Sequence, residues 1–307
     1  MSNFTELKKN FVISTGRTGT RFFGKFLKDI IPDCFTIHEP DTLNKYLPDF
    51  IVKVKQYGFY RYFILKLLGK AGSRNLSMKR ITGAYTKEKC IREFLIDRKW
   101  AGSLKDSYYI ESNYQLFGLA EDIAALENTK IILIVRHPFG FIKSVLNRTA
   151  YNYFESFFRN FGVGAMYSKI DPLEKLNILG FKRPTPKNVG EDVVGWGKFS
   201  RFKKLVWYWN FINNRLYNIH LNDLGNIRLY RFEDIFVDRN EKIIKDFFEF
   251  ILEDDFKSDM PAKFIEMTKK KKENTAFVNK KVRELTDTEK NYILEKSSRL
   301  MNFLHYE

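Results

Sequence analysis

A strand, a glycine loop and a helix are written one after another into Phe11 to Asp29, FVISTGRTGTRFFGKFLKD. Phe11-Val12-Ile13 is an apolar, β-branched run of the kind that forms a short buried strand. It gives way to Ser14-Thr15-Gly16-Arg17-Thr18-Gly19-Thr20, a loop crowded with hydroxyls and one guanidinium. Phe22, Phe23, Phe26 and Leu27 then recur at helical spacing, so the loop opens directly into a helix. This geometry aims free backbone N–H groups at an anion. The loop departs from the Walker A pattern, which ends in Gly-Lys-Ser/Thr, because the matching residues here are Gly19-Thr20-Arg21. A plain glycine turn between strand and helix would leave the same trace.

A second segment, Ile131 to Arg148, IILIVRHPFGFIKSVLNR, repeats the plan. Ile131 to Val135 is a buried strand that ends in Arg136. Pro138 suits the first turn of the helix that follows. Phe141, Val145 and Leu146 give that helix an apolar side, and Ser144 lies in it, eight residues after Arg136. An arginine at a strand end and a serine in the next helix can converge on one phosphate, with a fork from one and a hydroxyl from the other.

Together the two segments resemble the sulfotransferase family, whose donor is 3′-phosphoadenosine 5′-phosphosulfate. Arg17 stands where cytosolic members carry Lys, and bacterial and carbohydrate-type members often have Arg there. The resemblance implies an α/β fold of the P-loop type, with a central parallel sheet flanked by helices and a helical cap or insertion. It implies that Gly16, Arg17, Thr18, Gly19, Thr20 and Arg21 hold the 5′-phosphosulfate, and that Arg136 and Ser144 hold the 3′-phosphate. It implies transfer of a sulfuryl group to an acceptor hydroxyl without a metal. Two other readings stand beside it. One is a nucleotide kinase using ATP and magnesium, against which the missing Walker Lys counts. The other is a basic nucleotide- or lipid-binding module without catalysis.

Cys34-Phe35-Thr36-Ile37 forms a further strand, running into His38-Glu39-Pro40. Ligands gather at the carboxyl ends of strands in open parallel sheets. Several sulfotransferase groups place a catalytic Glu at the end of the corresponding strand. A base must take the proton as the acceptor oxygen attacks. Glu39 is the first candidate and His38 the second, and Arg17 is the candidate for stabilising charge at the leaving oxygen. Ser107 to Ile110 is another strand, closing with Glu111-Ser112-Asn113. Glu111 and Asn113 could orient the acceptor or the Arg17 guanidinium, and a helix cap by Ser112 or Asn113 is an equally good explanation.

A single domain over 1–307 is expected, because the motifs span both halves, with a helical insertion at about 41–106 and a variable acceptor-side region at about 149–200. Tyr57 to Leu68 is an apolar, aromatic stretch with basic punctuation. It suits a helix packed on the core or, less well, a membrane-surface face. Leu116 to Leu126 reads as an amphipathic helix. Tyr151, Tyr153, Phe154, Phe157 and Phe158, followed by scattered Gly and Pro, read as loops with short helices. A longer helix opens at Leu205, with Trp207 and Trp209 as core residues. Ile227 to Asp234 is a strand similar to the Tyr-Glu-Asp segment of sulfotransferases. Helices follow at 240–252 and 287–303. The run from Lys269 to Lys272 suits a solvated face better than a donor-covering lid.

Composition narrows the partners. A net charge of +16 calls for an anionic partner or surface. A phosphate- and sulfate-bearing nucleotide meets that need, with peripheral contact to an anionic membrane as a further expectation. Lys and Arg are spread along the chain without zinc-finger or basic-zipper spacing, so nucleic acid is not expected. Two cysteines, Cys34 and Cys90, make no disulfide framework. MSNFTELKKN lacks the apolar core of a signal peptide, and no apolar run reaches the roughly 20 residues of a membrane span. A cytoplasmic location is the resulting expectation.

Overall fold

Five segments become strands of one parallel sheet, and the three central ones, rich in Ile, Val, Phe and Tyr, are buried on both faces. The computed structural model describes residues 4–41, 47–147, 167, 183–222, 225–270 and 283–306. The strands are β1 (Lys8–Ser14), β2 (Cys34–His38), β3 (Tyr108–Ser112), β4 (Thr129–Val135) and β5 (Ile227–Arg231). Their order is β2-β3-β1-β4-β5, and every neighbouring pair is parallel. The expected α/β class with a central parallel sheet is therefore what the chain adopts.

From β1 the chain runs outward to β2 and returns to β3. It then crosses β1 to build β4 and β5 on the other side. The direction of winding thus reverses at β1, and in open parallel sheets ligands gather at the carboxyl ends of the strands beside such a reversal. The glycine loop lies at that reversal.

Alternation along β1 divides the core between the two faces. Phe11 and Ile13 join one cluster with Tyr109, Ile131, Leu133 and Val135. Helices α3 (Ser73–Ile81), α4 (Lys87–Arg98), α6 (Pro138–Asn147) and α7 (Arg201–Leu221) cover it through Leu76, Phe94, Phe141 and Trp209. Val12 faces the opposite way, with Ile110, Ile132, Ile134 and Tyr230. There α1 (Thr20–Phe26), α8 (Glu241–Leu252) and α9 (Met260–Lys270) close the core with Phe22, Phe23, Phe247, Phe248 and Phe264. Each of these buried side chains contributes about 1.5–3 kcal/mol.

Between β2 and β3 the chain is helical through α2 (Leu47–Tyr57), a wide turn of helix at Tyr60–Leu65, then α3 and α4. The second half of this stretch is a layer of the core: Leu76, Met78, Cys90 and Phe94 are all buried under the sheet. Phe59 and Tyr60 are exposed, while Tyr62 packs inward.

The amphipathic helix expected at Leu116 to Leu126 does not form as one piece. A 3₁₀ turn at Tyr114–Leu116 is followed by the short α5 (Ala120–Ala124). Asn113 Oδ1 caps the turn by accepting the Gln115 N–H at 3.1 Å. Ser77 Oγ donates to the Gln115 carbonyl at 2.6 Å and accepts the Gly118 N–H at 3.3 Å. Groups that a continuous helix would pair internally are taken by α3 instead.

The last helix, α10 (Asp287–Phe303), has the expected limits and begins with a Thr286–Glu289 capping box. Apart from Tyr167, the aromatic stretch from Tyr151 and most of the expected acceptor-side region lie outside the described residues. So do the residues from Lys271 to Phe277, whereas Lys269 and Lys270 end α9. Among the described residues no helix is long and apolar enough to cross a membrane.

Candidate functional site

The glycine loop holds its shape with its own hydroxyls. Ser14 Oγ accepts from the Gly16 N–H at 3.0 Å and from the Thr18 hydroxyl at 2.6 Å. Thr15 donates to the Gly16 carbonyl at 3.3 Å. Ser14, Thr15 and Thr18 are fully buried, and Thr20 nearly so. The loop thus faces outward with backbone and with Arg17, and Arg21 is exposed on the first turn of α1. Gly16, Arg17 and Gly19 all have positive φ, at 82°, 60° and 72°. Left-handed residues in a tight loop turn backbone N–H groups toward its concave side, although the Gly16 N–H is already taken by Ser14. Gly19 has a second reason to lack a side chain, because a Cβ there would lie 2.4 Å from the Phe236 ring.

Arg17, Arg136 and Ser144 come together beside this loop. Arg17 Nε donates to Ser144 Oγ at 2.9 Å, and Arg136 Nη1 donates to the Arg17 carbonyl at 2.6 Å. Two strand ends and a helix are thereby joined through one arginine. Arg136 is fixed from below: its carbonyl accepts the Trp209 indole N–H at 2.8 Å, and its guanidinium lies 4.3 Å above the Phe232 ring. Arg136 Nε is buried and has no hydrogen-bond partner among the described residues. Burial lowers the pKa of this guanidinium, against the opposing pull of Glu233. Glu233 itself accepts the His137 N–H at 3.1 Å and the Tyr306 hydroxyl at 2.9 Å, so it braces the turn after Arg136.

His38 and Glu39 sit at the end of β2. If the strand continued, the two side chains would point to opposite faces. It does not: Glu39 has φ +44°, while its N–H still donates to the Ser112 carbonyl at 3.0 Å. The two side chains consequently lie together, with His38 Nε2 3.4 Å from Glu39 Oε1. His38 Nδ1 is 3.2 Å from the Ser112 carbonyl, so the imidazole bridges β3 to the candidate base.

Glu111 and Asn113 have a different place from the one that would let them orient an acceptor. Glu111 is fully buried, and both its oxygens accept from Arg98, each at 2.6 Å. The Tyr109 hydroxyl and Asn113 Nδ2 complete its shell at 2.7 and 2.8 Å. The carboxylate is saturated by protein groups, and Asn113 caps the following turn.

Trp207 and Trp209 divide. Trp209 is core, and Trp207 is partly buried, donating to Glu191 Oε2 at 2.8 Å. Four contributors were not legible in the motifs: the indole N–H of Trp209, Phe232 and Phe236 from the segment after β5, and Tyr114, whose ring lies against Gly16. Phe232 and Phe236 follow directly on a strand with a charged end, which is the one sequence signal that pointed there. Among the described residues no group of His, Cys, Asp and Glu could hold a metal ion.

No protein-family model, no curated protein and no solved structure matches this chain.

Proposed function

We propose that the chain is a sulfotransferase that moves a sulfuryl group from 3′-phosphoadenosine 5′-phosphosulfate to an acceptor hydroxyl. The observation that carries this reading is the junction of Arg17, Arg136 and Ser144, with the buried Nε of Arg136, unpartnered among the described residues, beside it. A buried guanidinium N–H without a partner is costly, and a bound oxyanion would satisfy it. The two arginines serve two ends of one nucleotide: Arg136 and Ser144 take the 3′-phosphate, and the loop N–H groups with Arg17 take the 5′-phosphosulfate. Thr18 and Thr20 contribute through their backbone, since their side chains are buried and the Thr18 hydroxyl donates to Ser14.

In the reaction, the acceptor oxygen forms a bond to sulfur as the bond from sulfur to the bridging phosphate oxygen breaks. Glu39 takes the hydroxyl proton, and His38 holds Glu39 in position. Negative charge accumulates on the leaving phosphate oxygen, where Arg17 and the loop N–H groups stabilise it. The products are a sulfate ester and 3′,5′-adenosine bisphosphate.

Calorimetric titration tests the donor assignment directly. 3′,5′-Adenosine bisphosphate should bind far more tightly than 5′-AMP or ATP. Equal affinity for the bisphosphate and 5′-AMP would remove Arg136 and Ser144 from the 3′-phosphate, and preference for ATP with magnesium would favour a kinase. Transfer of labelled sulfate to an acceptor then separates an enzyme from a binding module.

A further inference from the structure

A second guanidinium near the loop is placed as if awaiting an anion. Arg74, on α3, is only 8% exposed. It makes one hydrogen bond among the described residues, to the Tyr114 hydroxyl at 2.5 Å, and no ion pair with a carboxylate among them. A buried charge is ordinarily paired, because desolvation of an uncompensated ion costs several kcal/mol. Among the described residues Arg74 has only this neutral phenol as a hydrogen-bond acceptor, which leaves four of its five N–H donors for other partners.

The surroundings of Arg74 belong to the proposed reaction centre. Tyr114 connects it to the loop, since its ring lies against Gly16 at 3.5 Å from where a Cβ would stand. Glu39, Tyr114 and Tyr208 are close enough to act on the charge of Arg74. Tyr208, on α7, is 3% exposed. A further buried arginine, Arg183, acts on Tyr208 together with Arg74. The hydrogen-bonded pair of Arg74 and Tyr114 thus stands on the Tyr114 side of the loop, with Arg183 and Tyr208 also buried and Glu39 within electrostatic reach of Arg74.

Resting on the sulfotransferase reading, we infer that this cluster is the acceptor subsite and that it takes a hydroxylated small molecule bearing an oxyanion. The guanidinium of Arg74 binds the oxyanion as a fork, Tyr208 donates to the same group or to a neighbouring hydroxyl, and the hydroxyl to be sulfated meets Glu39. A carboxylate and a sulfate ester present the same pair of oxygens to such a fork. The acceptor is thereby a hydroxylated molecule that bears either a carboxylate or a sulfate ester.

The test uses the full chain, saturated with 3′,5′-adenosine bisphosphate and titrated calorimetrically with three probes. These are methyl glucoside, methyl glucuronide and methyl glucoside 6-sulfate. At least one charged probe should bind more tightly than the neutral glucoside by about tenfold or more, the equivalent of one charge-assisted hydrogen bond. Which one it is separates the carboxylate from the sulfate source. Arg74→Gln should abolish the preference, and Arg74→Lys should keep part of it. Bisphosphate affinity should be the same in all three proteins, which also reports that the variants are folded. Equal binding of the three probes, or binding of none, would overturn the subsite. So would a preference that survives Arg74→Gln, which would trace it to overall charge. Loss of bisphosphate affinity in Arg74→Gln would move Arg74 to the donor site. If the wild-type chain does not bind bisphosphate, the donor reading falls, and the same probe titrations without nucleotide still decide the pocket.

Discussion

Arg98 and Arg136 stand on opposite sides of β1, and the chain treats them in opposite ways. Arg98 is fully buried and answered at four of its five N–H donors, with both oxygens of Glu111, the Ser73 hydroxyl and the Asp97 carbonyl as acceptors. Arg136 is gripped by a backbone carbonyl, an aromatic face and an indole, and faces no carboxylate within ion-pair distance among the described residues. Where the protein supplies both charges, the group organises the fold. Where it supplies one charge and a rigid seat, it leaves room for a ligand. Glu111 and Glu39 divide in the same way: one is enclosed on β3, and the other is turned out at the end of β2 by a left-handed residue.

The sharpest way to break this contrast is to neutralise each carboxylate or guanidinium in turn. Glu39→Gln keeps size and hydrogen bonding but removes basicity. General-base catalysis is worth about 10²–10⁴ in rate, so steady-state turnover should fall on that scale while the unfolding midpoint stays put. Near-normal turnover in this variant, with collapse in His38→Asn, would make His38 the base. Arg98→Met should do the reverse. It leaves Glu111 buried without its counter-charge, so urea unfolding should show a loss of about 3–5 kcal/mol. Adding Glu111→Leu should recover much of that loss, and failure to recover it would mean that shape matters more than charge there.

Arg136→Ala should leave stability nearly intact and erase most of the preference for 3′,5′-adenosine bisphosphate over 5′-AMP, about 1.5–3 kcal/mol. A large fall in stability with the preference retained would place Arg136 with Arg98 on the structural side. Trp209→Phe tests the seat alone. Losing the N–H that holds the Arg136 carbonyl should weaken the bisphosphate preference by about 1 kcal/mol, and an unchanged preference would reduce Trp209 to a core residue.

Parallel strands buried on both faces read as unbroken apolar runs, which is why Phe11 to Ile13 and Ile131 to Val135 were legible before their partners were known. The loop could be read because glycine marks positive φ, although Arg17 adopts it without being glycine. The eight-residue spacing of Arg136 and Ser144 located a helix face beside a strand end, and Arg17 proved to be the residue that joins them. The role of Glu111 stayed open in the sequence for a physical reason. A carboxylate at a strand end looks the same whether it meets solvent or an arginine from an earlier helix, and Arg98 carries no local sign of where its side chain goes. The broken helix after Asn113 was hidden similarly, since Ser77 competes for its backbone groups from another element. Arg74 lay unnoticed in a helix with basic residues throughout.

The strand order has a consequence for how the molecule comes into being. β1 is the first strand of the sheet in sequence and the central one in space, and Lys8 sits opposite Tyr108, 100 residues away. Its other neighbour, β4, is more distant still, with Lys9 opposite Thr129. A ribosome must therefore release β1 and its Phe11-Val12-Ile13 run long before either side of it can be covered. Chains that depend on such remote pairings collapse to their native arrangement slowly, and unpaired apolar strands are where nascent proteins aggregate. The same centrality that sets the glycine loop at the reversal of the sheet leaves β1 uncovered on both edges until β3 and β4 have been made.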